Sequence, residues 1–154
     1  MFLRNFIKTI FEYNKSTISL RYLLELKYNG ENFHGWQRQP NASSIQQTIE
    51  ECLSTILNEK ISLVGAGRTD SGVHAKYYCA HFDYNNKISS KNDFIFKLNS
   101  FLNKDISIIN IHSVNENFHA RFDAISRSYE YLITTEKDPF SFNSAYCVKK
   151  DLDF

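Results

Sequence analysis

The segment Gly65-Ala66-Gly67-Arg68-Thr69-Asp70-Ser71-Gly72-Val73-His74-Ala75 sets one guanidinium and one carboxylate close together on a glycine-bracketed turn. Val64 precedes the turn, and Tyr77, Tyr78 and Phe82 follow it, so it joins two apolar runs. Glycine lets a backbone reverse sharply or approach a ligand closely, and a charged pair on such a turn suits a site better than a core. A carboxylate held there can serve as a nucleophile or a base. The same residues can also make a structural Arg68–Asp70 ion pair on a strand-connecting loop, and their types alone leave both readings open.

Other constellations are weaker. His74, Cys79 and His81 could suggest a metal site, with Cys79 and His81 on one face of a strand, but their spacing fits no standard zinc pattern. No metal is expected. Gly65-Ala66-Gly67 fails the dinucleotide fingerprint, because Asp70 occupies the place of its third glycine. Asp70-Ser71-Gly72 matches the D-[ST]-G of aspartic proteases, in which two carboxylates share a proton across a dimer axis. Those sites have apolar residues before the aspartate, where this chain has Arg68 and Thr69, and their all-β fold has no place for two amphipathic helices. An aspartic-protease-like homodimer stays a remote alternative.

Composition bounds the class. A chain of 154 residues with 42% hydrophobic and 15% aromatic residues can bury a core and is not disordered. The net charge of +1 gives no basic footprint at the level of the whole chain. Cys52, Cys79 and Cys147 are an odd number without CxxC spacing, which fits a reducing compartment and a cytoplasmic location. No apolar run reaches the length of a membrane span. Residues 1–20 read as an N-terminal extension: Phe2, Leu3, Phe6, Ile7, Ile10 and Phe11 share a helical face, and Arg4, Lys8 and Lys15 are opposed only by Glu12. A structural helix is the first reading of this segment and an organelle presequence the second.

The elements that must position the turn follow from periodicity. Residues 21–29 alternate, with Tyr22, Leu24, Leu26 and Tyr28 on one face, as in a half-buried strand. Ser44-Ile45-Gln46-Gln47 has the form of a capping box. It opens a helix to about Asn58 through Ile45, Ile49, Cys52, Leu53, Ile56 and Leu57. Ile61 to Ala66 reads as a short strand. Lys76 to Tyr84 alternates, with Tyr78, Ala80, Phe82 and Tyr84 together. A second helix is expected over Lys91 to Leu102, striped by Phe94, Ile95, Leu98, Phe101 and Leu102, and a last strand over Ile106 to Val114. This β-α-β-β-α-β order predicts an α+β, ferredoxin-like split βαβ unit, an antiparallel sheet with both helices on one face. The first half-domain is then 21–114, with the Asp70 turn at the sheet rim and the other sheet face free to meet a partner. Residues 115–154 begin a second half-domain, with a strand over Arg127–Thr135 broken by Asp138-Pro139.

Three blocks together resemble the tRNA pseudouridine synthase A family. Residues 65–75 carry its G-R-T-D-x-G-V-H-A signature. Tyr28-Asn29-Gly30-Glu31-Asn32-Phe33-His34-Gly35-Trp36-Gln37-Arg38-Gln39 is similar to its first-strand block. Phe118-His119-Ala120-Arg121-Phe122-Asp123-Ala124 with Arg127-Ser128-Tyr129-Glu130-Tyr131 is similar to its F-H-A-R-F-x-A…R-x-Y-x-Y block. The blocks stand in the family's order and cover roughly residues 21 to 146. The resemblance implies a pseudouridine synthase fold and isomerisation of uridine in the tRNA anticodon stem-loop, at positions 38 to 40. It implies Asp70 as the catalytic carboxylate, Arg68 entering the space left by the extruded base, and Tyr129 stacking on the uracil. Gln37, Arg38, His74 and Arg121 are candidate RNA contacts, and Trp36 is either an RNA contact or a packing anchor. The reaction needs no cofactor or metal, and the partners implied are tRNA and a second copy of the full-length protein.

The chain departs from the family after Thr135. Family members are built of two related halves with the active site between them, and nothing from Thr135 to Phe154 matches the closing motif of the second half. The C-terminal half therefore reads as missing. An inactive RNA-binding or structural remnant is the alternative function. The aromatic residues Phe140, Phe142, Tyr146 and Phe154 suggest self-association of the chain as it stands.

Overall fold

The computed structural model describes residues 19–141 and 144–148. The helical face expected over residues 2–11, Phe142 and Phe154 all lie outside the described residues. Strands β1 (Leu20–Tyr28), β2 (Val64–Gly65), β3 (Ala75–Tyr84) and β4 (Ile106–Val114) alternate with helices α1 (Ile45–Leu57) and α2 (Lys91–Phe101) in the expected β-α-β-β-α-β order. They form one antiparallel sheet in the order β2-β3-β1-β4. The first strand is thus central, and the Asp70 turn joins an edge strand to its inner neighbour.

One face of the sheet and both helices bury a single core. Tyr22, Leu24, Leu26 and Tyr28 of β1 meet Tyr78, Ala80 and Phe82 of β3, Ile106, Ile108 and Ile111 of β4, and Ile45, Ile49, Leu53, Phe94 and Leu98 of the helices. Ser44 caps α1 by accepting from the Gln47 amide at 3.3 Å. The reciprocal half of the capping box is not made: the Gln47 side chain donates to Glu51 instead. Two of the helix's leading amides are satisfied from the first-strand block, Ile45 N–H donating to Gly35 O and Gln46 N–H to Trp36 O. The stripe expected over Lys91 to Leu102 holds for Phe94, Leu98 and Leu102, with Ile95 packed against the core, whereas Phe101 is exposed. The Asn99 side chain both donates to and accepts from the backbone of Ile108 (2.9 and 2.7 Å), plugging the open edge of β4 at that residue.

Two expected strands are shorter than the alternation suggests. Of Ile61–Ala66 only Val64–Gly65 joins the sheet. Ile61 and Leu63 are buried, but their amides donate to Ser54 Oγ and Glu50 Oε1 of α1, and Leu63 O accepts from Gln46. Helix side chains take the hydrogen bonds a neighbouring strand would have supplied. The expected strand over Arg127–Thr135 reduces to β5 (Ile133–Thr134), paired in parallel with β6 (Tyr146–Cys147). A strand extends only as far as a partner offers it hydrogen bonds, and β6 offers two residues.

The chain forms two compact units, divided between Ala124 and Ile125. The first runs ten residues past the boundary read at 114, because residues 115–124 pack on the sheet face away from the helices. There Arg21 donates to Phe118 O at 2.8 Å while holding Asp83 in a two-pronged ion pair. Ala120 N–H donates to Nδ1 of His81 at 3.1 Å, and Ala120 and His81 are both buried. This corrects the expectation that the whole face is free: one end of it is covered.

The His81 contact has a pH consequence. Accepting at Nδ1 requires a neutral imidazole. Burial first, then Arg21 and His119, hold the His81 pKa below its ordinary 6.5, against the opposing pull of Asp83 and Asp123. The unfolded chain therefore binds this proton more readily than the folded one. The stabilisation is complete above pH 6.5 and is lost as pH falls from there through the folded-state pKa. Acidification from pH 7 to 5 is expected to lower the urea midpoint and to lower the protection factor of the Ala120 amide, its exchange being compared with that of an unfolded chain at the same pH. In His81→Gln this acid limb should flatten. An unchanged acid limb in that variant would show that other groups carry it.

Candidate functional site

The Asp70 turn is gripped from three sides by the block that follows β1. Trp36 N–H donates to Thr69 O at 3.1 Å, and Gly72 N–H donates to Phe33 O at 3.2 Å. The Ser71 hydroxyl donates to the same carbonyl. Gly35 has φ +83°, and a Cβ built on it would lie 2.3 Å from Thr69 O, so the close approach of the two loops needs a glycine there. Gly72 also has positive φ, at +79°, but open space around it.

Two core tyrosines hold the turn from beneath, one on each side of Arg68. The Tyr78 hydroxyl donates to Gly67 O and accepts from Gly67 N–H. The Tyr28 hydroxyl pairs with Thr69 Oγ1 at 3.0 Å. Burial raises the Tyr28 phenol above its ordinary pKa, with the Thr69 bond offsetting part of the shift, so its proton stays on. Trp36 is 2% exposed, with its ring centroid 4.2 Å from that of Tyr78. Trp36 is therefore the packing anchor of this arrangement, and the RNA-contact reading of its ring is set aside. Periodicity marked Tyr28 and Tyr78 as core residues; nothing in the sequence signalled that their hydroxyls fasten the turn.

With the backbone fixed at Gly67, Thr69 and Gly72, Arg68 and Asp70 are left exposed. They do not pair with each other. Arg68 Nε–H donates to Gln37 Oε1 at 3.0 Å, and among the described residues no side chain bonds the Asp70 carboxylate. A structural ion pair, the bland reading of this turn, is absent. What remains is an exposed carboxylate on a rigid support beside an oriented guanidinium.

The other candidate residues are placed variously. Gln37 joins the turn through Arg68. His74 joins it from the other end, its Nδ1 accepting from Gly30 N–H at 3.0 Å. Arg38 is exposed, but its guanidinium is engaged by the carboxylates of Glu50 (3.1 Å) and Glu51 (3.7 Å) on α1. Glu50 is buried and also accepts from Gln46 and Leu63, so this is a bracing network for the loop. Arg121 lies on the segment that covers the His81 end of the sheet and not at the Asp70 turn. Tyr129 belongs to the second unit, where it is 82% exposed. Among the described residues no His, Cys, Asp and Glu side chains are grouped to hold a metal ion, and no helix is long and apolar enough to cross a membrane.

A family profile described as tRNA pseudouridine synthase matches residues 26–123, which include the turn and both helices. The tRNA pseudouridine synthase A of Parabacteroides distasonis is 49% identical over 137 residues, covering 87% of this chain and 53% of that protein. The tRNA pseudouridine synthase A of Azobacteroides pseudotrichonymphae is 47% identical over 133 residues, covering 86% and 53%. The tRNA pseudouridine synthase A 2 of Clostridium perfringens is 45% identical over 132 residues, covering 84% and 54%. The chain spans about half the length of the curated relatives it matches.

Proposed function

As the chain belongs to the tRNA pseudouridine synthase family, we propose that it serves the isomerisation of uridine to pseudouridine in tRNA, with Asp70 as the reacting carboxylate. The observation that supports this reading is the exposed Asp70 carboxylate, without a partner among the described residues, on a turn pinned at Gly67, Thr69 and Gly72. The reaction breaks the bond from uracil N1 to ribose C1′, turns the base, and makes a bond from C5 to C1′. N1 gains a proton and C5 loses one, so atoms and electrons balance within the nucleotide. A carboxylate can act on the sugar or the base as nucleophile, or take the C5 proton.

A stacked base cannot be reached, so the target uridine must leave its helix. Arg68, oriented by Gln37, enters the space it vacates, and Tyr129 stacks on the extruded ring. The substrate is the tRNA anticodon stem-loop at positions 38 to 40, the full-length protein works as a homodimer, and the compartment is the cytoplasm. Tyr129→Phe should retain more turnover than Tyr129→Ala, which is expected to lose roughly 10-fold or more, since stacking on a base needs the ring and not the hydroxyl. Equal losses would assign the phenol a part in proton transfer instead. Incubating an unmodified tRNA transcript with the protein and mapping pseudouridine tests the whole reading. Binding of the transcript with no pseudouridine formed would favour a second reading, an RNA-binding remnant.

A further inference from the structure

The uncovered end of the sheet face away from the helices is the end beside the Asp70 turn, and a bulge shapes it. On β3, Ala75 packs against the core and Tyr78 lies in it. Two core-side residues three apart break the two-residue period of a strand. Tyr28 pairs with Ala75 and Leu26 with Tyr78, so Lys76 and Tyr77 together oppose Lys27 of β1. Both intervening residues leave the core side. In an unbroken alternation Lys76 would follow Tyr78, Ala80 and Phe82 beneath the helices. Instead Lys27, Lys76 and Tyr77 are all exposed, Tyr77 at 60%. Ser107 of β4 completes the row across from Lys27. The next row carries the carboxylate of Glu25, which meets His112 at 3.1 Å.

We propose that Lys27, Lys76 and Tyr77 form an RNA-backbone surface that continues the Asp70 turn onto the sheet. The two ammonium groups take phosphates flanking the target nucleotide, and the Tyr77 ring takes a neighbouring base. The proposal rests on reading the Asp70 turn as the uridine site. Charge complementarity commits the surface to a polyanion: two lysines from adjacent strands, about 4.8 Å apart at the backbone, stand beside an exposed aromatic ring. That combination of positive charge and a stacking platform suits nucleic acid.

Binding of an unmodified tRNA transcript to the 154-residue chain between 50 and 200 mM KCl tests it. Lys27→Gln with Lys76→Gln should weaken binding ~10-fold at low salt and reduce the salt slope by roughly 1.5 to 2, about one unit per lost phosphate contact. Lys27→Arg with Lys76→Arg should keep both. Tyr77→Ala should weaken binding ~5-fold or more with the slope unchanged. Turnover is measured beside binding on the parent chain, so a failure of the catalytic reading shows in turnover and leaves the binding result intact. No binding by the parent chain, or unchanged affinity and slope in the double Gln variant, would overturn the surface. Equal affinity for polyglutamate would reassign it to acidic proteins.

Discussion

Asp70→Asn is expected to lower pseudouridine formation by ~10³-fold or more, with tRNA affinity within a few fold of the parent and the urea midpoint unchanged. The three readouts follow from one geometry. The turn is held through backbone groups and through Thr69, Ser71, Tyr28 and Tyr78, and no described side chain depends on the Asp70 carboxylate. Asn fills the same volume without the negative charge. A change at an exposed position with no structural partner ordinarily moves stability by less than about 0.5 kcal/mol. Any loss of turnover is then chemical. The measurement is single-turnover pseudouridine formation in the shortest form of the protein that is active, beside filter binding of the same transcript. Retained turnover would remove Asp70 from the mechanism.

Gly35→Ala is expected to be severely damaging to the site, and Gly72→Ala mild, although both glycines have φ near +80°. The left-handed conformation alone costs a side-chain-bearing residue roughly 1–2 kcal/mol. Gly72 meets only that cost, because nothing lies within 4 Å of a Cβ there. Gly35 adds a Cβ 2.3 Å from Thr69 O, against backbone that the Trp36 amide itself holds in place. A total of about 3 kcal/mol or more is expected for Gly35→Ala, read as a fall in the urea midpoint at constant slope. Whatever turn survives will be displaced. A shift of about 1 Å in a reacting group can cost on the order of 100-fold in rate. Equal effects of the two substitutions would show that the loops separate more easily than their hydrogen bonds suggest.

Much of this frame was legible from side-chain period, and the exceptions share a cause. The stripe of Ile45, Ile49 and Leu53 and the alternation of Tyr22, Leu24, Leu26 and Tyr28 report which side of an element is buried, and the core contains all of them. Period does not report which partner supplies the hydrogen bonds. Ile61 and Leu63 are buried as an apolar strand should be, yet they bond to Ser54 and Glu50 of a helix. Arg127–Thr135 alternates but finds a two-residue partner. The bulge at Lys76 and Tyr77 is a mismatch in count between two strands, and no single strand records it. In the turn itself, the glycines and the charged residues were visible as a motif. The roles of Tyr28, Tyr78 and Gln37 were not, because each acts through a polar tip on a residue far away in sequence.

The central place of β1 also sets a timetable for synthesis on the ribosome. This strand is made first, yet both its neighbours come from later parts of the chain, β3 and then β4. Between Tyr28 leaving the peptidyl-transfer centre and Ile106 reaching it, translation at about 5–20 residues per second takes roughly 4–16 s. Until β3 is made, Leu24, Leu26 and Tyr28 have no strand to pair with and the loop of Gly35 and Trp36 has no Asp70 turn to hold; the other edge of β1 then stays open until β4 follows. Nascent chains of this protein should therefore present an apolar N-terminal stretch to chaperones until the last strand emerges. Slowing elongation upstream of Ile106 should lengthen that exposure and lower the soluble yield.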